Sequence, residues 1–106
     1  MPEPFQFEVG RTQHRVLGLQ IRLQLAPDFE LRFTPAEASG ISFALVAVRD
    51  GVSPEREIYM SPIASDVAFV GLVGDAGVSI ALAAGSLDLD WKSVTALASS
   101  LAAAID

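Results

Sequence analysis

The sequence predicts an α+β fold: a mainly antiparallel sheet of about six strands with two helices packed on one face, in the order β-β-β-α-β-β-β-α. Three observations predict it. Leu17, Leu19, Ile21, Leu23 and Leu25 alternate with Gly18, Gln20, Arg22 and Gln24, the two-residue period of a strand with one apolar and one polar face. Thr34-Pro35-Ala36-Glu37 carries the chemistry of a helix start. Trp91, Val94, Leu97, Leu101 and Ile105 recur at helical spacing towards the end of the chain.

The first strand is expected at Phe5, Phe7 and Val9, which alternate with Gln6 and Glu8, before a polar break from Gly10 to Arg15. The Leu17–Leu25 strand follows, then a turn at Ala26-Pro27-Asp28, where proline presets φ and aspartate bonds nearby backbone. Phe29, Leu31 and Phe33 alternate with Glu30 and Arg32 as a third strand. Three such strands call for an antiparallel sheet covered on one side.

Over residues 35–49 two periods compete. Ala38, Ile41, Leu45 and Val48 fit a helix, while Ile41, Phe43, Leu45 and Ala47 fit a strand, and Gly40 weakens a helix by about 1 kcal/mol. The capping chemistry at Thr34 and Glu37 has no purpose in a strand and favours the helix. After Asp50-Gly51 and Ser53-Pro54, a short strand is expected from Glu57 to Met60. Val67–Val73 and Val78–Ala84 read as two buried strands joined by a turn at Gly74-Asp75-Ala76-Gly77. Gly85–Asp90 reads as a loop, with Asp88 or Asp90 capping the last helix. The two halves have similar element order at about 50 residues each, but share little residue identity.

At 106 residues the chain suits a single domain over 1–106, able to bury roughly two-thirds of the surface of its unfolded form. It has no cysteine, which removes disulfides, thiolate metal sites and thiol nucleophiles. Met1-Pro2-Glu3-Pro4 does not read as a signal peptide, and the expected location is cytoplasmic. Sixteen Ala, no Asn, and one Lys against six Arg read as the codon usage of a GC-rich bacterial genome. The net charge of −6 lies wholly in residues 33–106, which hold nine acids against three bases, whereas residues 1–32 hold four of each. Such a surface repels nucleic acid, whose binding rests on Lys and Arg at phosphates. Val67–Gly85 is long enough for a membrane span, yet four glycines and a central Asp75 argue for a hairpin instead.

Few residues carry candidate chemistry. His14, the one histidine, sits between Arg11 and Arg15 and offers a general base or an anion-binding loop; a solvated connection between strands is the plainer reading. Gly71, Gly74 and Gly77 match neither the dinucleotide fingerprint nor the P-loop. Asp88 and Asp90 with Asp66 or Asp75 lack the ligand spacing of a calcium loop, and helix capping explains them. Ser39, Ser42, Ser61 and Ser86 lack the elbow and partners of a nucleophile. No metal or cofactor is implied, and nothing argues for an enzyme.

The informative signal is a deficit of charge. Ala38–Val48 and Ser93–Ile105 contain no ionised residue, and mean hydropathy is +0.43 with 19% charged residues against the usual ~25%. The outer face of the last helix, with Ala96, Ser99, Ser100 and Ala103, is small and uncharged where Lys and Glu are usual. Close approach of another subunit explains this, so a homo-oligomer, most simply a dimer, is expected. In size, charge and sheet-plus-helix organisation the chain resembles small acidic dimeric α+β proteins, bacterial secretion chaperones among them, without a shared motif and without their leading helix. The expectation is a non-enzymatic homodimer that binds a protein partner as an adaptor or chaperone-like module. The alternative is a small-ligand-binding domain or minor enzyme with a site near His14, Arg11 and Arg15.

Overall fold

The computed structural model describes residues 7–16, 18–83 and 85–105. Its elements run β1 (Glu8–His14), β2 (Gly18–Ala26), β3 (Phe29–Phe33), α1 (Pro35–Arg49), β4 (Glu57–Met60), β5 (Phe69–Val73), β6 (Gly77–Leu82), β7 (Gly85–Asp90) and α2 (Trp91–Ile105). The fold is α+β, with all strand pairs antiparallel.

Seven strands form two sheets, ordered β1-β2-β3 and β4-β5-β6-β7, in place of the expected single sheet of about six. A side chain occupies part of the β3 edge. Ser65, in the β4–β5 connection, accepts a hydrogen bond from the Arg32 N–H at 2.7 Å and donates to the Arg32 carbonyl at 3.0 Å. Both outward-facing backbone groups of Arg32 on the β3 edge are thereby occupied, and β4 opens a second sheet.

The seventh strand is Gly85–Asp90, expected to be a loop. Aspartate is depleted in strands, which hides the alternation of Leu87 and Leu89 with Ser86, Asp88 and Asp90. β6 supplies the template, pairing from Gly77↔Asp90 to Leu82↔Gly85. As an edge strand, β7 also benefits from charge that discourages further pairing. The Gly10–Arg15 break is likewise corrected: β1 continues to His14 and pairs with β2 from Glu8↔Gln24 to His14↔Gly18. Phe5, Gln6 and Leu17 lie outside the described residues.

Residues 35–49 are helical. Thr34 Oγ1 accepts from the Glu37 N–H at 3.2 Å, and Glu37 Oε1 accepts from the Thr34 N–H at 2.8 Å, closing the capping box. The other Glu37 oxygen takes the Ile63 N–H at 3.1 Å, tying the helix start to the β4–β5 connection. At the far end Gly51 adopts φ +72°, the left-handed conformation that ends many helices.

Ile21, Leu23, Leu25, Leu31 and Phe33 from the first sheet and Phe69, Val78 and Ile80 from the second meet Ala38, Ile41, Leu45, Val94, Leu97 and Leu101 in one buried cluster. The principal extents are 41 × 35 × 22 Å, and the shortest is that of one helix layer on one sheet layer, each about 10 Å thick. Both sheets therefore share one layer under the helix pair. Between the helices, buried Ser42 donates its hydroxyl to the Ala98 carbonyl at 2.8 Å, and Arg49 reaches Thr95 Oγ1 at 3.2 Å.

Gly77 marks the tightest backbone approach. A Cβ there would stand 1.8 Å from the Leu89 carbonyl oxygen, at φ +153°. We expect Gly77→Ala to destabilise the protein by more than ~2 kcal/mol. Thr34→Ala, which removes half of the capping box, should cost about 1 kcal/mol. Urea denaturation followed by circular dichroism measures both, and equal effects would contradict the backbone clash.

Candidate functional site

The residues singled out for ligand binding sit on or beside the β1–β2 hairpin. Arg11 and His14 belong to β1, three positions apart and so on opposite faces of the strand, while Arg15 stands in the turn. All three are exposed. His14 Nδ1 accepts the Val16 N–H at 3.1 Å, which closes the turn. The grooves at the β5–β6 turn and beside β3 are lined by other residues.

The carboxylates also have local partners. Asp90 Oδ1 accepts the Ser93 N–H at 2.8 Å and caps α2. That backbone bond holds the Asp90 carboxyl below its usual pKa, with the Ser93 hydroxyl and Lys92 adding to the effect. Asp88 accepts the Ser79 hydroxyl at 2.7 Å across the β6–β7 pair. Among the described residues no group of three or more His, Cys, Asp or Glu converges as a metal site would. Of the serines considered as nucleophiles, Ser42 is committed to the interhelical bond.

The solvent-facing surfaces differ sharply. On the outer face of the β1-β2-β3 sheet, Glu30 lies between Arg22 at 3.0 Å and Arg32 at 3.8 Å. Gln20 shares the register of that face but is buried, and its amide nitrogen has no acceptor among the described residues. The outer face of the second sheet carries Tyr59, Val70, Leu72, Ser79, Ala81 and Ser86, with charge only at Glu57, Asp88 and Asp90. Tyr59 and Leu72 are 63% and 56% exposed there. At the β5–β6 turn this face forms an open groove of about 740 Å³, lined by Leu72, Asp75, Ser79, Asp88, Asp90 and Ser93 among others. Trp91 Nε1 donates to the Asp75 carbonyl at 2.9 Å and pins the turn against the start of α2.

The third surface is the outside of the helix layer. With 100° per residue, Ala36, Ser39 and Phe43 of α1 point away from the buried stripe, as do Ala96, Ser99 and Ala103 of α2. All six are exposed, Phe43 by 76%. Ser100 is half-buried on the flank of α2. Phe43 was legible only as an apolar residue of an ambiguous segment; as a strand residue it would have joined Ile41 and Leu45 on one face, whereas the helix turns it outward.

The Asp90 cap carries a pH dependence. A carboxyl with a depressed folded pKa contributes stability in full above its unfolded value near ~3.9 and loses it as pH falls through the folded value. Asp90→Asn retains an acceptor but does not titrate, so its melting temperature should fall less steeply than that of the parent below pH ~4. Thermal scans at several pH values test this, and parallel curves would reject it.

Compared with known families, curated proteins and solved structures, the chain has no significant match to any family model, curated sequence or structure.

Proposed function

We propose that this protein is a non-enzymatic homodimeric protein-binding module, in the manner of an adaptor or chaperone, whose two copies meet through the outer face of the helix layer. The exposed Phe43 ring carries this reading. It stands in the middle of α1 at 76% exposure, on a layer whose outward positions Ala36, Ser39, Ala96, Ser99 and Ala103 have no charge. Lys92 is the one ionised residue on the outward side of α2. A two-fold axis through such a surface places the aromatic ring of each copy against small residues of the other, which supplies both the knob and the room for it.

Each helix has 15 residues and is about 22 Å long at 1.5 Å per residue. Two of them side by side, each about 10 Å across, present roughly 440 Å² in projection, a substantial part of the roughly 800 Å² per partner that a specific interface buries. The outer face of the first sheet, with its Arg22–Glu30–Arg32 cluster, has the charged character of a surface left in water. No helix among the described residues is long and apolar enough to cross a membrane.

Gel filtration with light scattering at micromolar concentration tests the assembly, with a mass of twice 11.2 kDa expected. Ser99→Glu, Ala103→Glu and Phe43→Glu should each shift the equilibrium towards monomer while leaving the circular-dichroism spectrum folded, because all three positions are exposed. A single species of 11.2 kDa for the parent protein would overturn the proposal.

A further inference from the structure

We infer that the groove on the outer face of the second sheet binds a cationic segment of a partner protein, one that places Lys or Arg beside apolar side chains. This names the partner of the protein-binding reading but does not depend on the helix-layer dimer, because the groove lies on the sheet layer, at the opposite side of the molecule. The evidence for an occupant is the apolar sheet face itself. Tyr59 and Leu72 are largely exposed on an antiparallel sheet whose neighbouring outward positions are Val70, Ser79 and Ala81; Leu72 and Ser79 line the groove, and Tyr59, Val70 and Ala81 extend the face beyond it. A solvated sheet face alternates in polar residues, as the first sheet does.

Charge complementarity selects the occupant. Asp75, Asp88 and Asp90 line the groove with Leu72 and no Lys or Arg lines it, while Lys92, close enough to act on the Asp90 carboxyl, offsets part of that charge. The depressed pKa of Asp90 keeps it ionised down into the acid range, and the hydroxyl of Ser79 holds Asp88 in place at 2.7 Å. An anionic ligand is repelled by this arrangement. A cationic one is attracted locally and steered at longer range by residues 33–106, with nine acids against three bases. The groove is open and about 740 Å³ in volume, which suits an extended peptide rather than an enclosed small molecule. The bond from Trp91 to the Asp75 carbonyl fixes the wall, so little ordering is needed on binding.

The test is fluorescence anisotropy on the full chain, with a labelled 12-residue peptide of alternating Lys and Leu, and alternating Lys-Gly and Glu-Leu peptides for comparison. The Lys-Leu peptide should bind in a salt-dependent way and at least about tenfold more tightly than Lys-Gly, with Glu-Leu not binding. Asp75→Asn with Asp88→Asn should weaken Lys-Leu binding about tenfold, and Leu72→Ser should weaken it similarly. The charge-matched pair Asp28→Asn with Asp66→Asn, which line a separate groove beside β3, should change it less than about twofold. Equal loss in the two charge-matched pairs would mean diffuse attraction to an acidic protein and overturn the inference. A second copy could instead present its basic β1–β2 hairpin. If Arg11→Glu with Arg15→Glu reduces the mass seen by light scattering and frees the groove for peptide, the occupant is another copy and the inference falls. Because peptide binding and oligomeric mass are read separately, failure here is distinguishable from failure of the helix-layer dimer.

Discussion

The packing of α1 against α2 is the constraint on which the rest depends. The two sheets are not hydrogen-bonded to each other, and β3 has its edge occupied by Ser65 rather than by a strand. What joins the sheets is the common cover of the helix pair, which contributes Ile41, Leu45, Val94, Leu97 and Leu101 to a core shared with Leu23, Phe33, Phe69 and Ile80. The helices can act as one layer because small residues meet where they cross. Ser42 and Ala98 are both buried, and the Ser42 hydroxyl satisfies itself on the Ala98 carbonyl instead of remaining an unpaired polar group.

That arrangement has a consequence for surfaces. A two-layer domain has two outer faces, and each must be solvated or covered. The first sheet carries a charged cluster on its outer face, with Glu30 held between Arg22 and Arg32, while Gln20 on the same face is buried. The helix layer and the second sheet are not built that way. Phe43 on one and Tyr59 with Leu72 on the other are exposed aromatic and aliphatic side chains with few ions around them. The apolar side chains exposed on these two faces contribute to the high mean hydropathy of a chain with no membrane-crossing helix among its described residues.

The edges are managed by different means. β7 carries Asp88 and Asp90 along its length, β1 carries Glu8, Arg11 and His14, and β3 is closed by a serine that imitates the next strand. The same acids serve more than one end: Asp90 caps a helix and lines a groove, and Asp88 braces Ser79 across a strand pair.

The sequence by itself determined the local structure wherever short-range chemistry was decisive. The Leu19–Leu25 alternation set a strand, Thr34 and Glu37 set a helix start, and the Val94–Leu101 period set the second helix, because each pattern acts within one or two turns or pleats. It also determined, through missing charge, that some surface would be unsuited to water. Tertiary structure decided the rest. Gly85–Asp90 became a strand because β6 lies alongside it, and Ser65 reached the β3 edge at Arg32 from 33 residues away. Phe43 became a surface residue because the core and α2 take the opposite side of the helix, with Ile41, Ser42 and Leu45. Those outcomes depend on long-range partners, and no window of residues contains its own neighbours in space.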